Sequence, residues 1–154
     1  MKLSRGFTLM EIMMVVAIMG LVMAMGMPSI MSNMKKEGMR KAVSDLTEIC
    51  QHARENAILT GQRTSVTFYP GEGKFAMDGG GHYDLTSSAL PDDVKLEMLD
   101  INVQDYLQSS WAKVFFNPNG TSDEMTVVLV SAGEYKKISL EFSTALTFVS
   151  DVDK

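Results

Sequence analysis

With 154 residues, 14 Lys/Arg and 19 Asp/Glu, the chain has room for one core plus an appendage and a net charge of -5, which disfavours two independent cores and a nucleic-acid binder that works by neutralising phosphates. One cysteine, Cys50, and two histidines, His52 and His82, exclude an internal disulfide framework and leave little for a metalloenzyme.

The composition is uneven along the chain. Eleven of the 14 methionines fall within the first 39 residues, and residues 7–27 carry one ionisable side chain, Glu11. About 20 helical residues cross a bilayer core, so this run reads as a membrane-inserting segment. Three readings fit it: a secretory signal peptide, a permanent signal anchor, and a short leader cut ahead of a retained apolar helix. Lys2 and Arg5 supply the basic start that all three need, and Ala24-Met25-Gly26 could serve a signal peptidase. A signal peptide would leave Glu11 unexplained, because an acid inside the membrane costs about 2.5–3.5 kcal/mol near its centre and marks function by default.

Arg5-Gly6-Phe7-Thr8-Leu9-Met10-Glu11, followed by the apolar run, resembles the class III signal of type IV pilins and of the pseudopilins of type II secretion. The resemblance implies a cut by a prepilin peptidase between Gly6 and Phe7, N-methylation of Phe7, and a carboxylate at Glu11 that neutralises a neighbouring subunit's amine during assembly. Gly20 and Pro28 stand where helices of that family loosen or kink. Physical chemistry agrees with this reading: Gly6 offers a peptidase an unhindered backbone, and Glu11 meets the positive end of the helix dipole. Lys2 and Arg5 hold the leader inside. Beyond the run, Lys35, Lys36, Arg40 and Lys41 outnumber the leader's cations, and on this reading they meet lipid head groups or acidic neighbours on the outer side.

After Pro28 the pattern turns amphipathic. Val43, Leu46, Ile49, Cys50, Ala53 and Ala57 follow three- and four-residue steps, which predicts a helix continuing to about Thr60 with Gly61 as its stop. Cys50, on that apolar face, reads as a buried small hydrophobe. Strands are expected over residues 63–69, around Val94, Leu96 and Met98, and over 113–116, 125–130, 138–142 and 145–149. Turns are expected at Pro70-Gly71, Gly79-Gly80-Gly81, Asn117-Pro118-Asn119-Gly120 and Ala132-Gly133. The expected fold is therefore α+β, one long helix, first hydrophobic and then amphipathic, against an antiparallel sheet. Its segments are a leader over 1–6, an apolar helix over 7–28, an amphipathic half over 29–60 and a β-rich domain over 61–154.

Two further motifs narrow the resemblance. Ala53-Arg54-Glu55-Asn56-Ala57-Ile58 looks like the Ala-Arg-x-x-Ala-Ile signature of the H-type minor pseudopilins, and Phe116-Asn117-Pro118-Asn119-Gly120 resembles their Phe-x-Pro-x-Gly turn. Ser143-Thr144-Ala145-Leu146 departs from the Thr-Gly turn common there, and residues 94–111 carry no recognisable motif of that group.

Other constellations have simpler explanations. Asp92 and Asp93 are adjacent and without a base or nucleophile, so they read as a solvated turn. Asn117, Asn119, Thr121, Asp123 and Glu124 have the oxygen content of a calcium loop without its spacing. Ala17, Gly20 and Ala24 form a small-residue face that allows close helix approach. The seven acids between Asp78 and Asp105, against Lys95 alone, read as solvated surface.

The sequence thus predicts a non-enzymatic structural subunit without cofactor or metal, an H-type minor pseudopilin anchored once in the inner membrane with its domain in the periplasm. The implied partners are major and minor pseudopilins, the prepilin peptidase and the inner-membrane assembly platform, with no nucleic acid. The alternatives are a minor type IV pilin for pilus assembly or DNA uptake, and a periplasmic domain on an ordinary signal anchor. Loss of the leader would take the charge to -7 (12 - 19), which works against DNA uptake.

Overall fold

The computed structural model describes residues 7–78 and 86–152, with side chains for all of these except 25–35. The chain divides into two compact units, Met1–Met34 and Lys35–Lys154. One helix, α1 (Leu9–Thr60), belongs to both.

In the second unit the three- and four-residue spacing becomes burial. Met39, Ala42, Leu46, Ile49, Cys50, Ala53 and Ala57 are all buried, and Val43 packs beside them. Small residues at this face let the helix come close to what it covers. At Gly38 the approach is closest, because the Asp93 carboxylate lies 2.5 Å from where a Cβ would stand. Gly61, at φ +67, ends the helix in a conformation that costs glycine little. Asn56 then ties the helix end to the next strand, its Nδ2 donating to Thr64 Oγ1 at 3.0 Å.

The strands are β1 (Thr64–Tyr69), β2 (Lys74–Met77), β3 (Ser87–Ala89), β4 (Lys95–Ile101), β5 (Gln104–Asp105), β6 (Ala112–Phe116), β7 (Met125–Ser131), β8 (Glu134–Leu140) and β9 (Thr147–Asp151). They form two antiparallel sheets where the sequence suggested one: β3-β2-β1-β6 and β5-β4-β7-β8-β9. The core lies between α1 and the inner faces of both, with Val66, Phe68, Phe75, Val114 and Phe116 from the first and Leu99, Ile101, Met125, Val127, Leu129, Ile138 and Leu140 from the second. The fold class is the expected α+β.

Several boundaries move for identifiable reasons. A register shift between Leu96 and Met98 turns the phase of β4, so Leu99 and Ile101 face the core while Met98 is 37% exposed. A two-residue turn, Ala132-Gly133, pairs Ser131 with Glu134, which starts β8 four residues before the expected Ile138. Phe142 falls outside the strands, 60% exposed. Ala145 enters a turn instead of a strand, at φ +50 and nearly fully buried. Ser143-Thr144-Ala145-Leu146 thus forms a turn with a non-glycine residue, Ala145, in the left-handed region.

Asp92 and Asp93 are not equivalent. Asp92 is exposed, whereas the Asp93 carboxylate accepts from buried Ser131 Oγ at 3.1 Å, so this part of the expected solvated turn braces the sheet against the helix. Asp45 does the same for β3, accepting from Ser88 Oγ and pairing with Lys41, both at 2.6 Å.

Candidate processing and assembly site

Thr8 caps α1. Its Oγ1 accepts from the Glu11 N–H at 3.3 Å, and its carbonyl oxygen accepts from Glu11 and Ile12 N–H at 3.1 and 3.3 Å. Glu11 is thus the third helical residue after a threonine N-cap, the spacing of a capping box, and it lies in the first turn, where the dipole favours an anion. Sequence reasoning missed the cap, although Thr-x-x-Glu was there to announce it. Glu11 is exposed and makes no ion pair among the described residues.

Every described side chain from Phe7 to Ala24 is exposed, Phe7 at 79% and Leu9 at 81%. The chain on its own leaves this apolar surface uncovered, which marks it for lipid or for other chains. Nothing stands within 4 Å of where a Cβ on Gly20 would be, so the face bearing Ala17, Gly20 and Ala24 is open to close approach. The helix runs on through Pro28, whose missing N–H leaves the carbonyl four residues earlier without its usual donor. Among the described residues, no helix is long and apolar enough to cross a membrane. The residues whose side chains are described, 9–24, span about 24 Å at 1.5 Å each, short of a ~30 Å bilayer core. Lys2, Arg5 and Gly6 lie outside the described residues, as do the side chains of Met25, Gly26, Met27, Pro28 and Lys35, the triple glycine from Gly79 to Gly81, and His82.

The two later motifs meet in space. Ala53 and Ala57 are fully buried, Phe116 is fully buried, and Ile58 Cδ1 lies 3.9 Å from where a Cβ on Gly120 would stand. Gly120 holds the turn at φ +86, its N–H donating to Asn117 O at 3.0 Å. Arg54 Nε, by contrast, is buried without a hydrogen-bond partner among the described residues. Several side-chain oxygens of the calcium-like stretch are used internally. Thr121 donates to Asn119 Oδ1 through both its N–H and its hydroxyl, while Asp123 accepts from Asn102 Nδ2 at 3.1 Å and from the Phe115 N–H at 2.9 Å. Cys50 is buried, and burial pushes its thiol up to about 12, so it is inert as a nucleophile.

The prokaryotic N-terminal methylation motif matches residues 1–27. The domain superposes on the minor pseudopilin EpsH from the type 2 secretion system of Vibrio cholerae with a TM-score of 0.55, at 16% identity, over 75% of this chain and 97% of that one. The chain thus carries that motif and shares the EpsH fold. Within it, 49 residues are 43% identical to the type II secretion system core protein G of Klebsiella pneumoniae, covering 32% of this chain and 35% of that protein. The chain thus spans about a third of the length of that relative. A fimbrial protein of Pseudomonas aeruginosa matches more broadly, 27% identical over 135 residues, or 86% of this chain and 73% of that protein. At these identities the likeness to EpsH is one of fold.

Proposed function

We propose that the chain is an H-type minor pseudopilin of a type II secretion system, a structural subunit of a periplasmic pseudopilus and not an enzyme. The observation that carries this reading is the methylation motif at the head of a chain that shares the EpsH fold. A prepilin peptidase removes residues 1–6 by cutting between Gly6 and Phe7, and Phe7 is then N-methylated. The apolar helix anchors the subunit once in the inner membrane, with the domain in the periplasm, until the assembly platform moves it into the filament beside major and minor pseudopilins. There Glu11 meets a neighbour's N-terminal amine, a pairing favoured by the cost of leaving its carboxylate alone in lipid. Gly20 and Pro28 supply the looseness for packing in a helical core.

N-terminal analysis of the mature protein tests this directly. An N-methylated Phe7 is expected, and a mature chain beginning at Met27 would rule the reading out. A minor type IV pilin is the second reading, favoured by the broader match to the fimbrial protein. Crosslinking in cells separates the two: bonds to pseudopilins support the first, and bonds to pilus subunits support the second.

A further inference from the structure

We propose that β9 is a self-complementary sheet edge along which two copies of this chain pair antiparallel about Val149. Edge strands usually carry protection against such pairing, as a lysine, a proline, a bulge or extreme shortness. The other edges here have it. β5 has two residues, β3 has three and is made of Ser87, Ser88 and Ala89, β4 is irregular between Leu96 and Met98, and β6 is bridged at Phe116 by Ser122. β9 has five residues, no lysine, no proline and no register shift. It exposes Phe148 at 56% and Val149 at 48% on opposite faces, flanked by Leu146 at 48% and Val152 at 39%.

The backbone fixes which groups are free. The Val152 N–H donates to Tyr135 O, so by antiparallel alternation the main-chain groups of Thr147, Val149 and Asp151 face the open side. Rotation about Val149 sets Val149 opposite its own copy and Thr147 opposite Asp151 of the partner subunit, so each outward donor meets an outward acceptor. The one charge in the strand is already balanced, because Lys136 donates to Asp151. The two-fold also keeps the like carboxylates at opposite ends of the pairing. On one face Phe148 lies diagonal to Phe148 of the partner subunit, within reach of an aromatic contact. A second copy therefore fits the edge in register, charge and apolar surface.

This pairing does not depend on the filament role, which N-terminal analysis decides separately. The full chain in detergent micelles, measured by light scattering, should be a dimer. Val149→Pro should be a monomer with unchanged circular dichroism, since the N–H it removes faces outward and the β8–β9 ladder does not use it. Oxidation should link Val149→Cys to itself and leave Thr147→Cys unlinked, because only position 149 faces its own copy at a Cα separation of about 5.5 Å. Buried Cys50 stays out of the reaction. Should Val149→Pro fail to fold, the two cysteine variants still decide. A monomeric wild type overturns the proposal, as does a dimer that survives Val149→Pro or crosslinks equally at both positions.

Discussion

Glu11 holds two positions at once, third residue of a capped helix and lone acid of the apolar run, and the two can be separated by substitution. Glu11→Gln keeps a side chain that suits the third position after the Thr8 cap and removes the charge. On the proposed function it should be cut normally after Gly6 but crosslink to neighbouring pseudopilins several-fold less than wild type; full incorporation would mean that the carboxylate is dispensable. Gly6→Val should leave an intact precursor, seen as a leader-bearing N-terminus by mass spectrometry, because a branched side chain obstructs the peptidase. Val103, far along the chain from the apolar run, offers a contrast. Val103 sits at φ +67 and is 90% exposed, a β-branched side chain in the left-handed region at the Asn102-Val103 turn between β4 and β5. Val103→Gly makes this the favoured Asn-Gly turn and gives up no burial, so it should stabilise by about 1 kcal/mol in urea unfolding. A loss of stability would mean that Val103 makes a contact its exposure does not reveal.

At the level of elements, legibility in the sequence followed the period. The amphipathic half of α1 could be read because Leu46, Ile49, Cys50, Ala53 and Ala57 repeat at helical steps and every one of them is buried. β7 could be read because Met125, Val127 and Leu129 alternate inward without interruption. β4 had a strand's composition but the wrong phase, since a register shift is invisible to a period-two pattern. β2, β3 and β5 were missed because two to four residues are too few to show a period, and pairing with longer neighbours forms them. β2 also ends in a polar contact that no pattern announced: Asp78 Oδ2 accepts from buried Ser65 at 2.6 Å and from Lys113 at 2.9 Å. These partners hold the Asp78 carboxyl below its ordinary value, the Ser65 hydrogen bond first. A depressed native pKa means that the contribution is present above the unfolded value of ~3.9 and is lost as pH falls through the native one. The urea midpoint of Asp78→Asn should therefore lie below wild type at neutral pH and converge on it under acid. A gap that does not change with pH would show that the ionised carboxylate is not what matters.

Across the whole molecule, the two units divide the physical problem. Every residue of the described core lies between Met39 and Ala145, so removing residues 1–34 takes away no side chain that the core contains. What it does take away is exposed apolar surface, from Phe7 onward, that favours lipid or other chains over water. A chain beginning at Lys35 should therefore be soluble and cooperatively folded, and it should keep the helix from Met39 to Thr60 that covers both sheets. It should bind no DNA at physiological salt, since the intact chain has five more acids than bases and loss of Lys2, Arg5 and Glu11 leaves six more (18 - 12). Circular dichroism with a single thermal transition checks the fold, and fluorescence anisotropy against a labelled duplex checks the binding. A truncated chain that unfolds or aggregates would mean that the apolar half contributes to the stability of the domain, so that anchor and domain are not separable. Binding that weakens steeply with added salt would instead shift the choice between the two filament readings toward a minor pilin that handles DNA.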